Sequence, residues 1–171
     1  MEKICTFAGM NTPLDEIFKI DITGISFPDP NYSVYRKKSN IFVFEYVYSG
    51  KGNIKINDFE FIPEKNDVYI LPMGAEHNYF SDRKDPFHKI WFNVSGDLVS
   101  SLLSVYSLNT VHVIKNVSAD IPPLFTEFLE TAEKFNRDAP AAFEKCSLVF
   151  MKIIQTLSKE NASSSNNNLA S

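Results

Sequence analysis

Cysteine is scarce. The 171-residue chain has only two, Cys5 and Cys146. They lie far apart and lack the paired spacing of a zinc ribbon or a disulfide scaffold. They read as thiols of a reducing compartment, so the expected location is cytoplasmic. Histidine is scarce too: His77, His88 and His112 are the three. Basic charge is outweighed, with 17 Lys and Arg against 21 Asp and Glu and a net charge of −4. Apart from the short cluster Arg36-Lys37-Lys38 there is no basic stripe, which excludes a nucleic-acid footprint within these residues. No run of 18 apolar residues occurs, so no transmembrane helix is expected. The start, MEKICTFAGM, lacks the basic region and apolar run of a signal peptide.

What the chain does have is aromatic. It carries 15 Phe and 7 Tyr beside a single Trp. Hydrophobic residues make up 44%, enough for one globular domain with its own core. Up to about residue 95 the sequence breaks into short segments rich in Phe, Tyr, Ile and Val: EIFKIDITGISF, NYSVYRK, IFVFEYVYSG, GNIKIN, FEFIP, DVYILP, HNYFSD and FHKIWFNVSG. Turn residues separate them, including Pro28-Asp29-Pro30, Ser49-Gly50-Lys51-Gly52, Asn57-Asp58 and Pro72-Met73-Gly74. Many short strands at this spacing predict a sandwich or barrel.

After Gly96 the period changes to three and four. Leu98, Val99, Leu102, Leu103 and Tyr106 form one helical stripe, with Ser95 or Asp97 able to cap it. NTVHVIKN reads as a returning strand or an extended link. A second stripe runs from Leu124 to Phe135, opened by Pro122-Pro123. Phe143, Cys146, Phe150, Ile153 and Leu157 form a third, flanked by Val149 and Ile154. So wide an apolar arc predicts that part packs on the second helix and the rest meets a second copy of the chain. The alternative is a monomer whose helices fold wholly onto the barrel. The Ser/Asn-rich end, NASSSNNNLAS, reads as a flexible tail. The expected layout is a barrel with an N-terminal arm over residues 1–95, a helical dimerisation appendage over 96–160, and a tail over 161–171.

The spacing around His77 resembles the second cupin motif, G-x5-P-x-G-x2-H-x3-N. Pro72, Gly74 and His77 match, Asn66 stands for the first Gly, and Ser81 for the last Asn. Asn tolerates the turn conformation that Gly would supply. The first cupin motif should bring two histidines and a glutamate from YSVYRKKSNIFVFEYVYSGKG, which contains no histidine. A divalent ion needs several fixed ligands, so no metal and no cofactor are expected. His77 either reaches a ligand or braces the Pro72–Gly74 turn.

The longer stretch, with YVYSGKG, DVYILPMGAEHNY and DPFHKIWFNVSG in that order, resembles the ligand-sensing domain of AraC-type transcription regulators. The resemblance covers about residues 17 to 160. It implies a mainly β, cupin-like double-stranded β-helix, or jelly-roll barrel, followed by C-terminal α-helices that dimerise. It further implies a pair of helix-turn-helix units that bind DNA. No such pair follows Leu157, so DNA contact is expected only through a domain absent from this chain. The chain reads as the sensor part of a longer regulator; the rival is a stand-alone, metal-free cupin enzyme with His77 as acid or base. No nucleophile–base pair is visible to support catalysis.

The resemblance also implies a small-molecule effector, by default a carbohydrate, and an arm up to Leu14 folding over the cavity. It makes Trp91 the sugar-stacking aromatic, Arg36 the ligand-gripping arginine and Ser26 a small hydroxyl in the site. Lys89 and Asn93 share the face of Trp91 by the two-residue period, and His77 and Tyr79 alternate along one strand face. Glu45 is the only charge within IFVFEYVY. It must find a partner, a sugar hydroxyl among them, or face water. Trp91 can equally be a core residue, and Arg36 a solvated strand end.

Overall fold

The computed structural model describes residues 1–7 and 11–169, with backbone alone for 165–169. Each predicted strand segment forms a strand: β2 (Lys19–Ser26), β3 (Ser33–Arg36), β4 (Phe42–Ser49), β5 (Gly52–Ile56), β6 (Phe59–Phe61), β7 (Val68–Leu71), β8 (His77–Ser81) and β9 (His88–Ser95). Another strand precedes them, β1 (Glu2–Thr6), and a short one follows, β10 (Val113–Ile114). They make a six-stranded sheet, β1-β2-β9-β4-β7-β10, and a four-stranded sheet, β3-β8-β5-β6. Pairing within both sheets is antiparallel. The fold is the expected mainly β, cupin-like barrel with C-terminal helices.

The turn chemistry follows the sequence. Asn57 (φ 50°), Asn66 (φ 69°) and Gly74 (φ 86°) adopt left-handed conformations, which Asn and Gly enter most easily. Asn66 thus fills the position where the cupin motif places glycine. Gly96 (φ 108°) ends β9, and a Cβ there would meet the Ile17 carbonyl at 2.5 Å. Neither Ser95 nor Asp97 caps the next helix; Gly96 is the N-cap residue, and no side chain bonds there.

Three helices follow: α1 (Asp97–Val105), α2 (Ile121–Phe135) and α3 (Ala139–Leu169). Pro122 and Pro123 sit in the first turn of α2, where a missing N–H costs no helical bond. Asp138 opens α3 by accepting from the Ala141 N–H at 3.1 Å. The helices cover the outer face of the six-stranded sheet. Phe44 of β4 and Phe92 of β9 stack at 5.0 Å; Phe92 lies 4.2 Å from Phe128 of α2, and Phe44 5.4 Å from Phe150 of α3. β10 pairs with β7, so the segment after Gly96 also contributes to the sheet.

The predicted dimer seam lies inside this layer. Cys146, Phe150, Ile153 and Leu157 are fully buried, with Val149 and Ile154 beside them, and half-buried Phe143 packs against the same core. The sheet behind them is six strands wide. Together with α1 and α2 it takes up the whole apolar arc, leaving none of these residues except part of Phe143 for a second copy. Burial pushes the Cys146 thiol up to about 12, so this sulfur is an inert core atom.

Two further expectations change. The Ser/Asn-rich tail is helical as far as Leu169. Ser163 and Ser164 donate back to the carbonyls of Lys159 and Glu160, and each residue added to an anchored helix gains a backbone bond. The start of the arm is an edge strand, with Glu2 opposite Ser26 and Thr6 opposite Ile22; residues 8–10 lie outside the described residues. Among the described residues no helix is long and apolar enough to cross a membrane.

Candidate ligand-binding site

Register decides which side chains share the barrel interior. Ser26 of β2 lies opposite Lys89 of β9, and Glu45 of β4 lies opposite both Trp91 and Tyr69. Arg36 of β3 lies opposite His77 of β8. Residues directly opposite on antiparallel strands point to the same side. Ser26, Arg36, Glu45, His77, Tyr79, Lys89, Trp91 and Asn93, all expected from the sequence, therefore face inward between the two sheets. All are buried except Arg36, which is half-buried.

At the centre is an ion pair. The Lys89 ammonium, fully buried, donates to the Glu45 carboxylate and to the Tyr69 hydroxyl at 3.1 Å. Tyr69 in turn donates to the same Glu45 oxygen at 2.6 Å. Four rings surround the ammonium: Tyr32 at 4.5 Å, Tyr79 at 4.9 Å, Phe87 at 4.9 Å and Tyr69 at 5.8 Å. Each offers its negative face to the cation. Burial pulls the Lys89 pKa below its ordinary value, and the Glu45 charge opposes that shift. Burial, then the Glu45 charge, pushes Tyr69 and Tyr79 well up, so both are neutral hydroxyls.

A second chain of bonds reaches the arm. The Trp91 indole N–H donates to Ser26 Oγ at 2.9 Å, and Ser26 donates to the Glu2 carboxylate at 2.6 Å. Arg36 donates to the Tyr79 hydroxyl at 2.9 Å, which ties one nitrogen of the guanidinium to the interior while the side chain stays half-buried.

His77 braces the turn and keeps one acceptor free. Its Nε2 lies 2.7 Å from the Pro72 carbonyl; a carbonyl only accepts, so Nε2 carries the proton. Among the described residues Nδ1 is then a buried acceptor without a protein partner. Burial lowers the His77 pKa from 6.5, keeping the ring neutral. Asn93 Oδ1 and Ser81 Oγ are likewise buried and unpartnered. The interior thus offers acceptors at His77 and Asn93, a guanidinium donor and an indole, the set that a polyhydroxylated guest can use. Among the described residues no three His, Cys, Asp or Glu side chains converge as a metal site.

Sequence reasoning missed Tyr32, Tyr69, Ser81 and Glu2. The alternation of DVYILP marks Tyr69 as facing opposite to Val68 and Ile70, yet which face is interior depends on pairing with β4. Glu2 left no signal, because its place follows from β1 joining the sheet.

Residues 19–154 match the model of the AraC-like ligand binding domain family. The Msm operon regulatory protein of Streptococcus mutans is 27% identical over 89 residues, which are 52% of this chain and 32% of that protein. The chain therefore spans about a third of that relative's length. Among solved structures, the plu4264 protein of Photorhabdus luminescens is 25% identical, covering 64% of this chain and 84% of its own, with a TM-score of 0.39. The cupin domain of Schizosaccharomyces pombe Cnp3 is 16% identical, covering 58% and 68%, with a TM-score of 0.41. With well over half of its length matched by the family model, the chain belongs to the AraC-like ligand binding domains.

Proposed function

We propose that the barrel senses a carbohydrate effector for an AraC-type transcription regulator, binding it without converting it. Family membership supports a sensing role. The observation that carries the choice of ligand is the set of unpartnered buried acceptors, His77 Nδ1 and Asn93 Oδ1, in a face that also holds Trp91 and Arg36. Each unsatisfied buried group costs about 1–3 kcal/mol, a cost that a ligand hydroxyl removes. The only indole in the chain supplies a flat face for sugar C–H groups. DNA would be contacted by a separate helix-turn-helix part, in keeping with a regulatory relative about three times as long as the aligned segment.

A panel of sugars followed by thermal melting tests the reading. A saccharide at a hundredfold excess over its dissociation constant stabilises by about 2.7 kcal/mol. Trp91→Ala should abolish the shift while the far-ultraviolet spectrum stays β-rich. If no sugar shifts the melting point, or if the bound sugar is recovered chemically altered, the reading fails.

Dimerisation belongs to the same proposal, but on a different surface from the sequence expectation. The outward side of α3 carries Leu148, 56% exposed, and half-buried Met151. This strip is the apolar surface that α3 leaves to a second copy. Leu148→Glu should yield folded monomers by sedimentation; a wild-type protein already monomeric at high concentration would end this part of the proposal.

A further inference from the structure

We infer that the effector carries a carboxylate, held by the Arg36 guanidinium at the end of β3. This rests on the reading of the barrel as the effector site and adds the charge of the guest. Two cations face the interior, Lys89 and Arg36, and only one is matched. Lys89 is closed off by Glu45, Tyr69 and the rings around it. Arg36 is half-buried, and it donates to the neutral hydroxyl of Tyr79. Among the described residues it takes part in no ion pair.

The acids nearby are committed elsewhere. Glu45 accepts from Lys89 and Tyr69, and Glu2 accepts from Ser26. Glu76 accepts from the exposed Tyr35 at 3.4 Å. Glu45 and Glu2 equal the two cations in number, but Glu45 is held by Lys89 and Tyr69 and Glu2 by Ser26, so neither carboxylate is paired with the Arg36 guanidinium. Withdrawing an unpaired guanidinium from water is costly, and a neutral sugar would leave that charge uncompensated. A carboxylate fits the planar fork with two charge-assisted hydrogen bonds.

The approach has the same sign. Arg36 also lines an open surface hollow together with Lys37, Lys38, Asn57, Gly74 and Glu76. It therefore links the buried Tyr79 hydroxyl to a rim where three basic residues stand in sequence. Such a rim attracts an anion before it docks. With the acid group on Arg36, the hydroxyls of a sugar acid are left for the free acceptors of His77 and Asn93.

Isothermal titration with glucuronate and galacturonate, each set against glucose or galactose, tests the assignment. At least one acid should bind about tenfold tighter than its neutral parent, and the advantage should shrink at high salt. Arg36→Gln should remove the advantage. Arg36→Lys, which keeps the charge but loses the fork, should retain part of it and serves if the glutamine variant fails to fold. Equal binding of acid and parent, preference for the parent, or an acid preference that survives in Arg36→Gln overturns the carboxylate and leaves the carbohydrate reading standing. No heat from any of the four at about 10 mM, where millimolar binding is visible, overturns both.

Discussion

The two faces of β9 bury opposite kinds of group. Ile90, Phe92 and Val94 point out, and Lys89, Trp91 and Asn93 point in; all six are buried. The outward set joins rings and aliphatic chains of three helices in a dry layer. The inward set joins an ion pair, tyrosine hydroxyls and unpartnered acceptors. One strand therefore serves cohesion on one side and, in the proposed reading, recognition on the other. Burial alone does not tell them apart; only the chemistry of what each face buries does.

The sharpest break of this contrast is a charge placed on the dry side. Ile153→Glu puts a carboxylate where the residue is fully buried among apolar groups. The expected loss exceeds about 4 kcal/mol, so circular dichroism should show an unfolded or molten chain rather than a folded monomer. Leu148→Glu, five residues earlier on the outward side of α3 and 56% exposed, should keep a folded, β-rich chain even as the dimer is lost. A normally melting Ile153→Glu protein would mean that the layer is not dry.

Next in size is the wet side. Lys89→Met strands the Glu45 carboxylate inside the barrel and should cost about 3–5 kcal/mol in urea unfolding. Adding Glu45→Leu should return stability to within about 1 kcal/mol of the parent, while ligand-induced stabilisation stays lost. A double variant as unstable as the single one would show that the pair is not what the lysine supports. Tyr69→Phe removes one hydroxyl bonded to both charged groups. It should cost about 1.5–3 kcal/mol, and a neutral result would place water in that role.

The smallest effect is a pH slope. Burial holds the His77 pKa below its ordinary 6.5, so the unfolded chain binds the proton more readily. The stability that comes from a neutral His77 is complete above that value. It is lost as pH falls from there toward the lower folded-state pKa. His77→Gln should flatten that part of the profile in thermal melts, and substitutions on the dry face should leave the slope unchanged. An unaltered slope in His77→Gln would remove His77 as its source.

Strand positions were legible because aromatic and β-branched runs alternate with left-handed turn residues such as Asn57, Asn66 and Gly74. Inward and outward sets could be sorted by the two-residue period, which is how Lys89, Trp91 and Asn93 came to share a face. What joins them was not legible. That Glu45 meets Lys89 and Tyr69 depends on the register of β4 against both β9 and β7, set by turns outside any one motif. β1 escaped notice because only Cys5 of its five residues is buried. The dimer seam was misjudged for another reason. The width of an apolar arc says how much a helix must bury, whereas the width of the sheet beneath it, invisible along the chain, says how much is already taken.

The length of α3 has a mechanical consequence. Its 31 residues make a rod of about 46 Å at 1.5 Å per residue. The stretch from Cys146 to Leu157 is clamped in the aromatic layer, one residue along β9 from Trp91. Beyond Leu157 about 18 Å of helix continues to Leu169. A tilt of about 5° at the clamp would carry that end through about 1.5 Å, given this length. By the same geometry, a small adjustment of β9 would be enlarged toward Leu169, since a helix this long acts as a stiff pointer rather than a hinge.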